Sequence, residues 1–553
     1  MRQWLAAIHA SFEPAVGEAG KSRASIAHKT SSTILATRAE ILTLPCANKY
    51  VPVANLTALK STLSEAGLQQ INEGLQAAFA PDEVCDIVPD SNIVPSPDLP
   101  QAACENLIKE DAIERVTPEQ LHREPTKSSG RGFFIKDVKV DETGTLIERV
   151  RFIYWSKRQN AALKSSSSRY RVKTHMYHTS YYMSAIRAEA AVVGDIKSGF
   201  SHIAIPKKAR AWFRFEDEDG NVYQMCRLPL GLVPSCQIME VVTLALIGSP
   251  IVCATPYITR PDVRVDGYVD DFRAAGSTRA LEYFTSETNR RAALFNVQLK
   301  KPLEIAESVT FLGVVFDHGT KQVRIAPKTL SKLPDSIGSS VAAGLLYRTV
   351  ARLIFCSAPL KIGLFAFYMT MKHTTSVCNK INNRVIDDET LISVPEGLRS
   401  SINRWIQLAR GSATYDRDDW APPTSPRCTL YTDASLRGWG AHFISSTGAV
   451  YIVGGKWRDP SQLSSKDINQ LEGRAVRYAF SALKEHILRH RVVDLRIDNT
   501  SVLSAMQRGR GKAETVHFET LDAIKFAFES KIVIKAEYVA SAENKADITS
   551  RTS

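Results

Sequence analysis

The spacing of apolar and polar residues changes several times along the chain, and each change predicts a different element. Residues 56–79, LTALKSTLSEAGLQQINEGLQAAF, repeat apolar side chains at helical intervals. The stretch that follows, PDEVCDIVPDSNIVPSPDLPQ, is rich in proline and acid and predicts a linker. ACENLIKEDAIERV predicts a short helix leading into extended chain. Residues 132–155, GFFIKDVKVDETGTLIERVRFIYW, form two β-prone arms around DETGT, whose turn chemistry predicts a hairpin. KSSSSRY at 164–170 predicts a flexible basic loop. Strand and helix patterns then mix up to about residue 316, an α+β arrangement. Residues 325–425 are mostly helical by spacing, and YDRDDWAPPTSPR at 415–427 marks a joint. Beyond it a new α/β unit begins at CTLYTDASLRGWGAHF, and no internal repeat is visible. The most apolar run, IMEVVTLALIGSPIVCATPYI at 238–258, carries Glu240 and Pro250 and predicts a buried helix that breaks, not a membrane span.

Composition narrows the class. With 553 residues, 44% apolar and 23% charged, the chain is globular. Its length predicts roughly three or four domains. A net charge of +12 suits a polyanionic partner, nucleic acid first. The nine cysteines are scattered with no C-x-x-C pair, which argues against zinc and disulfides and for a reducing compartment. The amino-terminal MRQWLAAIHASFEPAVGEAG has no apolar core long enough for secretion. The expected setting is intracellular, cytoplasmic or nuclear, with no membrane partner. The oligomeric state is left open.

One stretch demands a chemical reason. VDGYVDDFRAAG, 265–276, sets Asp270 and Asp271 side by side in a β-prone segment, although aspartate is depleted in strands and adjacent carboxylates repel. A solvated hairpin tip would tolerate them; a divalent metal would require them. Upstream, VVGDIKSGFSHIAIP predicts a strand ending in Asp195 and turning into a short helical segment. MCRLPLGLVPSCQIMEVV adds a turn with Gly231 and Pro234 before a helix, and NVQLKKPLEIAESVTFLGVVFD predicts a second hairpin. Three carboxylates on neighbouring strand ends can hold two Mg²⁺ ions, which would relieve their repulsion.

In that order, DIKSGF, LPLGL, YVDD, a following lysine and FLG, the region 106–316 resembles the fingers and palm of a reverse transcriptase. The resemblance implies Asp195 and Asp270 as main metal ligands, with Asp271 in support. It implies Phe200 as the aromatic gate beneath the incoming sugar, though a core phenylalanine is the plainer alternative. Leu230 stands where many retroviral enzymes carry glutamine, and with Gly231 and Tyr268 it is expected beside the substrate. Lys301, ten residues before Phe311, fits the lysine proposed to protonate pyrophosphate, while Lys300 is adjacent and a solvated charge is the alternative. Arg151, nine residues before Asn160, matches the fingers arginine that grips the triphosphate, with Lys157 and Arg158 as a basic pair nearby.

The carboxyl-terminal part has its own acids. Asp433 ends a β-prone run, Glu472 lies in the first turns of an amphipathic helix (467–483), Asp498 ends a strand before a helix capped by Asn499 or Thr500, and Asp547 stands on a last helix. Their order resembles the D-E-D-D of ribonuclease H, with one departure: YVASAENKA, 538–546, lacks the histidine many members carry before the last aspartate. HILRHR at 486–491 is expected to be a solvated basic face.

Together the resemblances imply an α+β multidomain chain. Residues 1–105 form an extension of unassigned role, 106–316 fingers and palm, 317–425 thumb and connection, and 426–553 a ribonuclease H-like α/β domain. They imply an RNA-directed DNA polymerase with ribonuclease H, using two Mg²⁺ per site, or Mn²⁺, and acting on RNA template, DNA primer, dNTPs and RNA–DNA hybrid. IDNTSVL and NKADITSR resemble the tyrosine-recombinase retroelements, the DIRS-like group that includes trypanosomatid VIPER elements. The rival is a non-catalytic nucleic-acid-binding relic of such an enzyme.

Overall fold

The computed structural model describes residues 35–86, 91–140, 146–175, 179–256, 263–411 and 426–552. The amino-terminal twenty residues, the DETGT turn and nearly all of the 415–427 joint lie outside them. The result is a mixed α/β chain that divides into two compact units between Gln322 and Val323.

In the first unit, after a short helix at Arg38–Thr43, residues 56–79 form two helices where the spacing predicts one. Asn55 caps Leu56–Lys60 and Ser64 caps α1 (Glu65–Phe79), each side chain accepting from a backbone N–H of its own first turn. Next come α2 (Gln101–Lys109) and β1 (Ile113–Arg115). The predicted linker between α1 and α2 is anchored at several of its described residues: Ser96 and Leu99 are buried, Ser96 Oγ accepts from Gly132 N, and Ser129 Oγ accepts from Val94 N. Proline-rich backbone is irregular, but it can be buried once its polar groups find partners. Ile41, Leu59 and Ile71 share one core with the sheet described below, so residues 35–105 are built into this unit.

The hairpin β2 (Arg131–Val140) and β3 (Leu146–Trp155) pairs Phe134 with Phe152 and Ile135 with Arg151, and leads into α3 (Lys157–Lys164). The KSSSSRY stretch beyond α3 is not the flexible loop its composition predicts. Ser168 and Tyr170 are buried, and the Tyr170 hydroxyl donates to Gln237 Oε1 at 2.9 Å. Then follow β4 (Ala190–Asp195), β5 (Arg214–Glu216), β6 (Val222–Met225), α4 (Ser235–Leu246), β7 (Arg264–Tyr268), β8 (Asp271–Gly276), α5 (Thr278–Phe295) and β9 (Ile305–Ala306). The antiparallel sheet runs β7-β8-β4-β9. Val192, Phe272 and Ala274 on one face bury against Ile238 and Val242 of α4 and Leu281 and Phe284 of α5. Burying a side chain such as Phe272 stabilises by about 1.5–3 kcal/mol. The predicted second hairpin is β10 (Ser308–Phe311) with β11 (Val314–Asp317).

Helix α4 is buried on every side, as its apolar run predicts, yet it carries polar groups inward. Glu240 accepts the backbone N–H of His175, shared between its two carboxylate oxygens, and burial pushes its carboxyl up to about 7.

The second unit begins with α6 (Ala343–Ser357), α7 (Tyr368–Asn382) and α8 (Glu396–Arg410) around the buried Trp405, which stacks on Phe367 at 4.2 Å. A five-stranded sheet follows, built from β12 (Arg427–Ala434), β13 (Gly438–Ile444), β14 (Val450–Lys456), β15 (Val492–Ile497) and β16 (Val533–Tyr538) in the order β14-β13-β12-β15-β16. The first three strands are antiparallel, and β15 and β16 run parallel to β12. Helices α9 (Ile468–Ala482), α10 (Thr500–Arg508), α11 (Glu514–Glu529) and α12 (Asp547–Thr552) complete the unit. Tyr368 of α7 stacks on His517 of α11 at 3.8 Å. HILRHR is not a wholly solvated face: His490 is buried, with Nδ1 on His486 O at 2.9 Å and Nε2 accepting from Ser446 N at 3.2 Å. Among the described residues no helix is long and apolar enough to cross a membrane.

Candidate active sites

In the first unit the ladder between β4 and β8 pairs Asp195 with Asp271, and Asp270 occupies the turn joining β7 to β8. The turn is tight because Val269 takes φ +56°, an uncommon conformation for a β-branched residue. Two bonds hold it: Thr243 Oγ1 of α4 donates to Val269 O at 2.5 Å, and Ile196 N donates to Asp270 O at 3.0 Å. A Cβ at Gly199 would lie 3.0 Å from Asp270 Cβ, so glycine there leaves the aspartate its room.

The three carboxylates disturb one another. Burial first, then Asp195 and Asp270, push the Asp271 carboxyl up to about 7. Burial and Asp195 also raise Asp270, while Lys300 and Arg151 pull it back. Asp195 is answered by a cation: Lys300 Nζ donates to its Oδ2, and Lys300 N donates to Asp195 O at 2.9 Å. Lys300 thus meets the carboxylates directly, and the expected Lys301 is the next residue, exposed. Three crowded acids balanced by one ammonium are a charge arrangement that a divalent cation would relieve.

The other expected residues lie in the same unit. Phe200 lies in a short 3-10 turn (Gly199–His202), partly buried against the core. Tyr268 ends β7, and burial raises its hydroxyl, with Cys236 and Asp271 adding to the shift. Leu230 and Gly231 are exposed in the turn before α4, and Gly231 takes φ +90°, which glycine adopts at no cost. That turn is clamped by a residue the motif reading used only as a landmark. Asn160 Nδ2 donates to Gly231 O, and its Oδ1 accepts from Val233 N, both at 2.9 Å. Arg151 pairs with Asp137 at 3.0 Å across the β2–β3 hairpin and still reaches Asp270 by Coulomb attraction. Lys157, at the start of α3, is exposed, with its ammonium 5.3 Å from the Trp155 ring centre.

The second unit gathers its acids more closely. Asp433 at the end of β12, Glu472 on α9 and Asp498 just past β15 bring carboxylate oxygens within 4.8 Å of one another. Glu472 Oε2 and Asp498 Oδ1 are buried and have no protein partner, the signature of oxygens waiting for a cation. Burial, then Asp433 and Asp498, push Glu472 up to about 9. Burial raises Asp433 to about 6, although the Ser550 hydroxyl donates to its Oδ2. The donor set and the orphaned oxygens fit a hard divalent cation.

Asp547 belongs to the expected set but not to this close cluster. Its Oδ1 accepts from Arg551 Nη2 at 2.7 Å and Nε at 3.0 Å. Gly440 lets α12 lie close beneath the site: a Cβ there would come within 2.7 Å of Ala546 O and Ser550 N. Where the sequence lacks the loop histidine, Ser541 Oγ donates to Asp498 Oδ2 at 2.7 Å and Asn544 Nδ2 donates to Thr432 O at 3.0 Å. Ser541, Asn544, Ser550 and Arg551 carry no signal of their own until Asp433 and Asp547 are recognised as acids of one site.

No family model and no curated protein matches the sequence. Among solved structures, the chain is similar to the foamy viral protease–reverse transcriptase in complex with dsDNA, at 13% identity over 89% of this chain and 98% of that one, with a TM-score of 0.42. The dRH form of that protein in complex with ds DNA matches at 12% identity, over 88% and 82%, with a TM-score of 0.42. Its complex with RNA/DNA hybrid matches at 12% identity, over 88% and 63%, with a TM-score of 0.39. At such values the sites have to be read from their own residues.

Proposed function

We propose that this chain is an RNA-directed DNA polymerase with a ribonuclease H, copying retroelement RNA into DNA and degrading the RNA of the resulting hybrid. The observation that carries this reading is the pairing of Asp195 with Asp271 beside the Asp270 turn, in a chain whose second unit gathers Asp433, Glu472 and Asp498. Two separate carboxylate sites suit two separate reactions on phosphate esters.

In the polymerase reaction the primer 3′-hydroxyl attacks the α-phosphate of a dNTP in line, and pyrophosphate leaves. Asp195, Asp270 and, in support, Asp271 would hold two Mg²⁺, which supply charge neutralisation and a more acidic hydroxyl. Arg151 offers a fork for the triphosphate, and Asp137 keeps that fork oriented. Phe200 packs under the sugar, with Tyr268, Leu230 and Gly231 lining the same site. Lys300, already on Asp195, is better placed than Lys301 to pass a proton to the leaving group. In the nuclease reaction Asp433, Glu472, Asp498 and Asp547 would hold the metal that activates water against the RNA strand. The net charge of +12 favours binding through phosphate and sugar, and affinity should fall steeply with salt. The element family proposed is the DIRS-like group, on the IDNTSVL and NKADITSR segments.

The test is primer extension on poly(rA)·oligo(dT) with Mg²⁺, comparing wild type with Asp270→Asn. Extension lost in the variant supports the reading. Folded wild type that extends no primer with Mg²⁺ or Mn²⁺ points instead to a nucleic-acid-binding relic.

A further inference from the structure

The last helix carries a cation that the nuclease chemistry above does not use. Arg551 sits four residues after Asp547 and places two N–H groups on that aspartate's Oδ1. An acid followed by a base at this spacing is a common helix pair, usually of little consequence. Three observations set this one apart. The acid is the one expected ligand that stays outside the close cluster of Asp433, Glu472 and Asp498. The guanidinium also interacts by Coulomb attraction with Asp433 and Asp498, so it faces three of the four acids. The residue before it, Ser550, is buried and donates to Asp433 Oδ2, which fixes the helix end at the site. Meanwhile Glu472 Oε2 and Asp498 Oδ1 lie buried without a protein partner.

We propose that Arg551 is a substrate-exchanged counter-ion: it holds Asp547 while the nuclease site lacks nucleic acid, and transfers its fork to a backbone phosphate of the RNA–DNA hybrid when the hybrid binds. Resting on the nuclease reading, this adds a coupling between metal and substrate. The Nε and Nη2 groups that hold Asp547 form an edge of the fork that fits a phosphate equally well, so for that edge the two compete. Its side chain is 67% exposed, so exchange needs no opening of the core. Releasing Asp547 adds a ligand to the metal site at the moment the hybrid arrives. Hybrid should therefore tighten metal binding, and metal should tighten hybrid binding by the same factor.

The test is calorimetric titration of the full chain with Mn²⁺, in an Asp195→Asn, Asp270→Asn background so that uptake reports the nuclease site. It is run with and without a short RNA–DNA hybrid whose RNA bears non-cleavable linkages. Without hybrid, Arg551→Ala should bind Mn²⁺ about two- to fivefold more tightly, the size expected for losing one exposed competing charge. Hybrid should tighten Mn²⁺ binding with Arg551 present, less with Arg551→Lys, and not at all with Arg551→Ala. A merely structural helix pair would leave that coupling unchanged, and equal coupling in wild-type Arg551 and Arg551→Ala overturns the proposal. If Asp433→Asn, shown folded by its melting curve, takes up Mn²⁺ like its parent, the nuclease reading itself fails and the proposal falls with it.

Discussion

Asp195 on β4 stands directly opposite Asp271 on β8, with Asp270 in the turn beside them. Such a pairing of like charges across a ladder opposes folding unless something neutralises it. Lys300 bonds to Asp195 and also acts through space on Asp270 and Asp271; in the function proposed here a divalent cation would neutralise the rest.

The pH dependence of stability follows from the raised carboxyls. An acid whose folded pKa lies above its unfolded value contributes full stability while both states are protonated. That contribution is lost as pH rises through the folded pKa. For Glu472 the window runs from the ordinary glutamate value of about 4.3 to about 9. In metal-free protein, Glu472→Gln should therefore gain melting temperature over wild type steadily from pH 5 to pH 9. Added Mg²⁺ should raise the melting temperature of wild type more at pH 8 than at pH 5. A difference that is flat with pH would contradict the burial of this acid.

Lys300 and Lys301 should separate cleanly. Lys300 touches Asp195, so Lys300→Ala should slow single-nucleotide extension by about 100-fold or more, general acid–base catalysis contributing about 10²–10⁴-fold. Lys301→Ala should change the rate much less. Pre-steady-state extension measures both.

Arg151→Ala should act mainly on nucleotide affinity. Charge-assisted bonds to phosphate contribute about 1.5–3 kcal/mol, so the KM for dNTP should rise at least about tenfold. Asp137→Asn, which frees the guanidinium from its partner, should have a smaller effect of the same kind. Steady-state kinetics at fixed primer–template separates the two.

Gly440→Ala should damage one activity alone. The new Cβ would meet the backbone of Ala546 and Ser550 at 2.7 Å and push α12 away from Asp433. Overpacking of this kind costs about 1–3 kcal/mol. Hybrid cleavage should fall sharply while primer extension stays close to wild type.

Much of the site is visible in the sequence because several of its acids stand where a strand pattern stops. Asp195, Asp433 and Asp498 each sit where an apolar strand pattern stops, and Glu472 lies on the inward stripe of its helix. The contact of Lys300 with Asp195 is not visible, because the chain bends at both lysines and the sequence does not say which ammonium that bend turns toward the carboxylate. The burial of Ser96, Leu99, Ser168 and Tyr170 is hidden for another reason. Composition reports how regular a backbone is, while burial depends on partners far along the chain, here Ser129, Gly132 and Gln237. The i, i+4 spacing of Asp547 and Arg551 is plain in NKADITSR, but only the structure has Asp547 held outside the close cluster of acids.

The most direct measurement runs both reactions on the same preparations of wild type, Asp270→Asn and Glu472→Gln. One arm is extension of a DNA primer on RNA; the other is cleavage of labelled RNA in an RNA–DNA hybrid. Asp270→Asn should lose extension by at least about a hundredfold and keep cleavage, and Glu472→Gln should do the reverse. Loss of both activities in either variant, or of neither, would contradict two independent carboxylate sites.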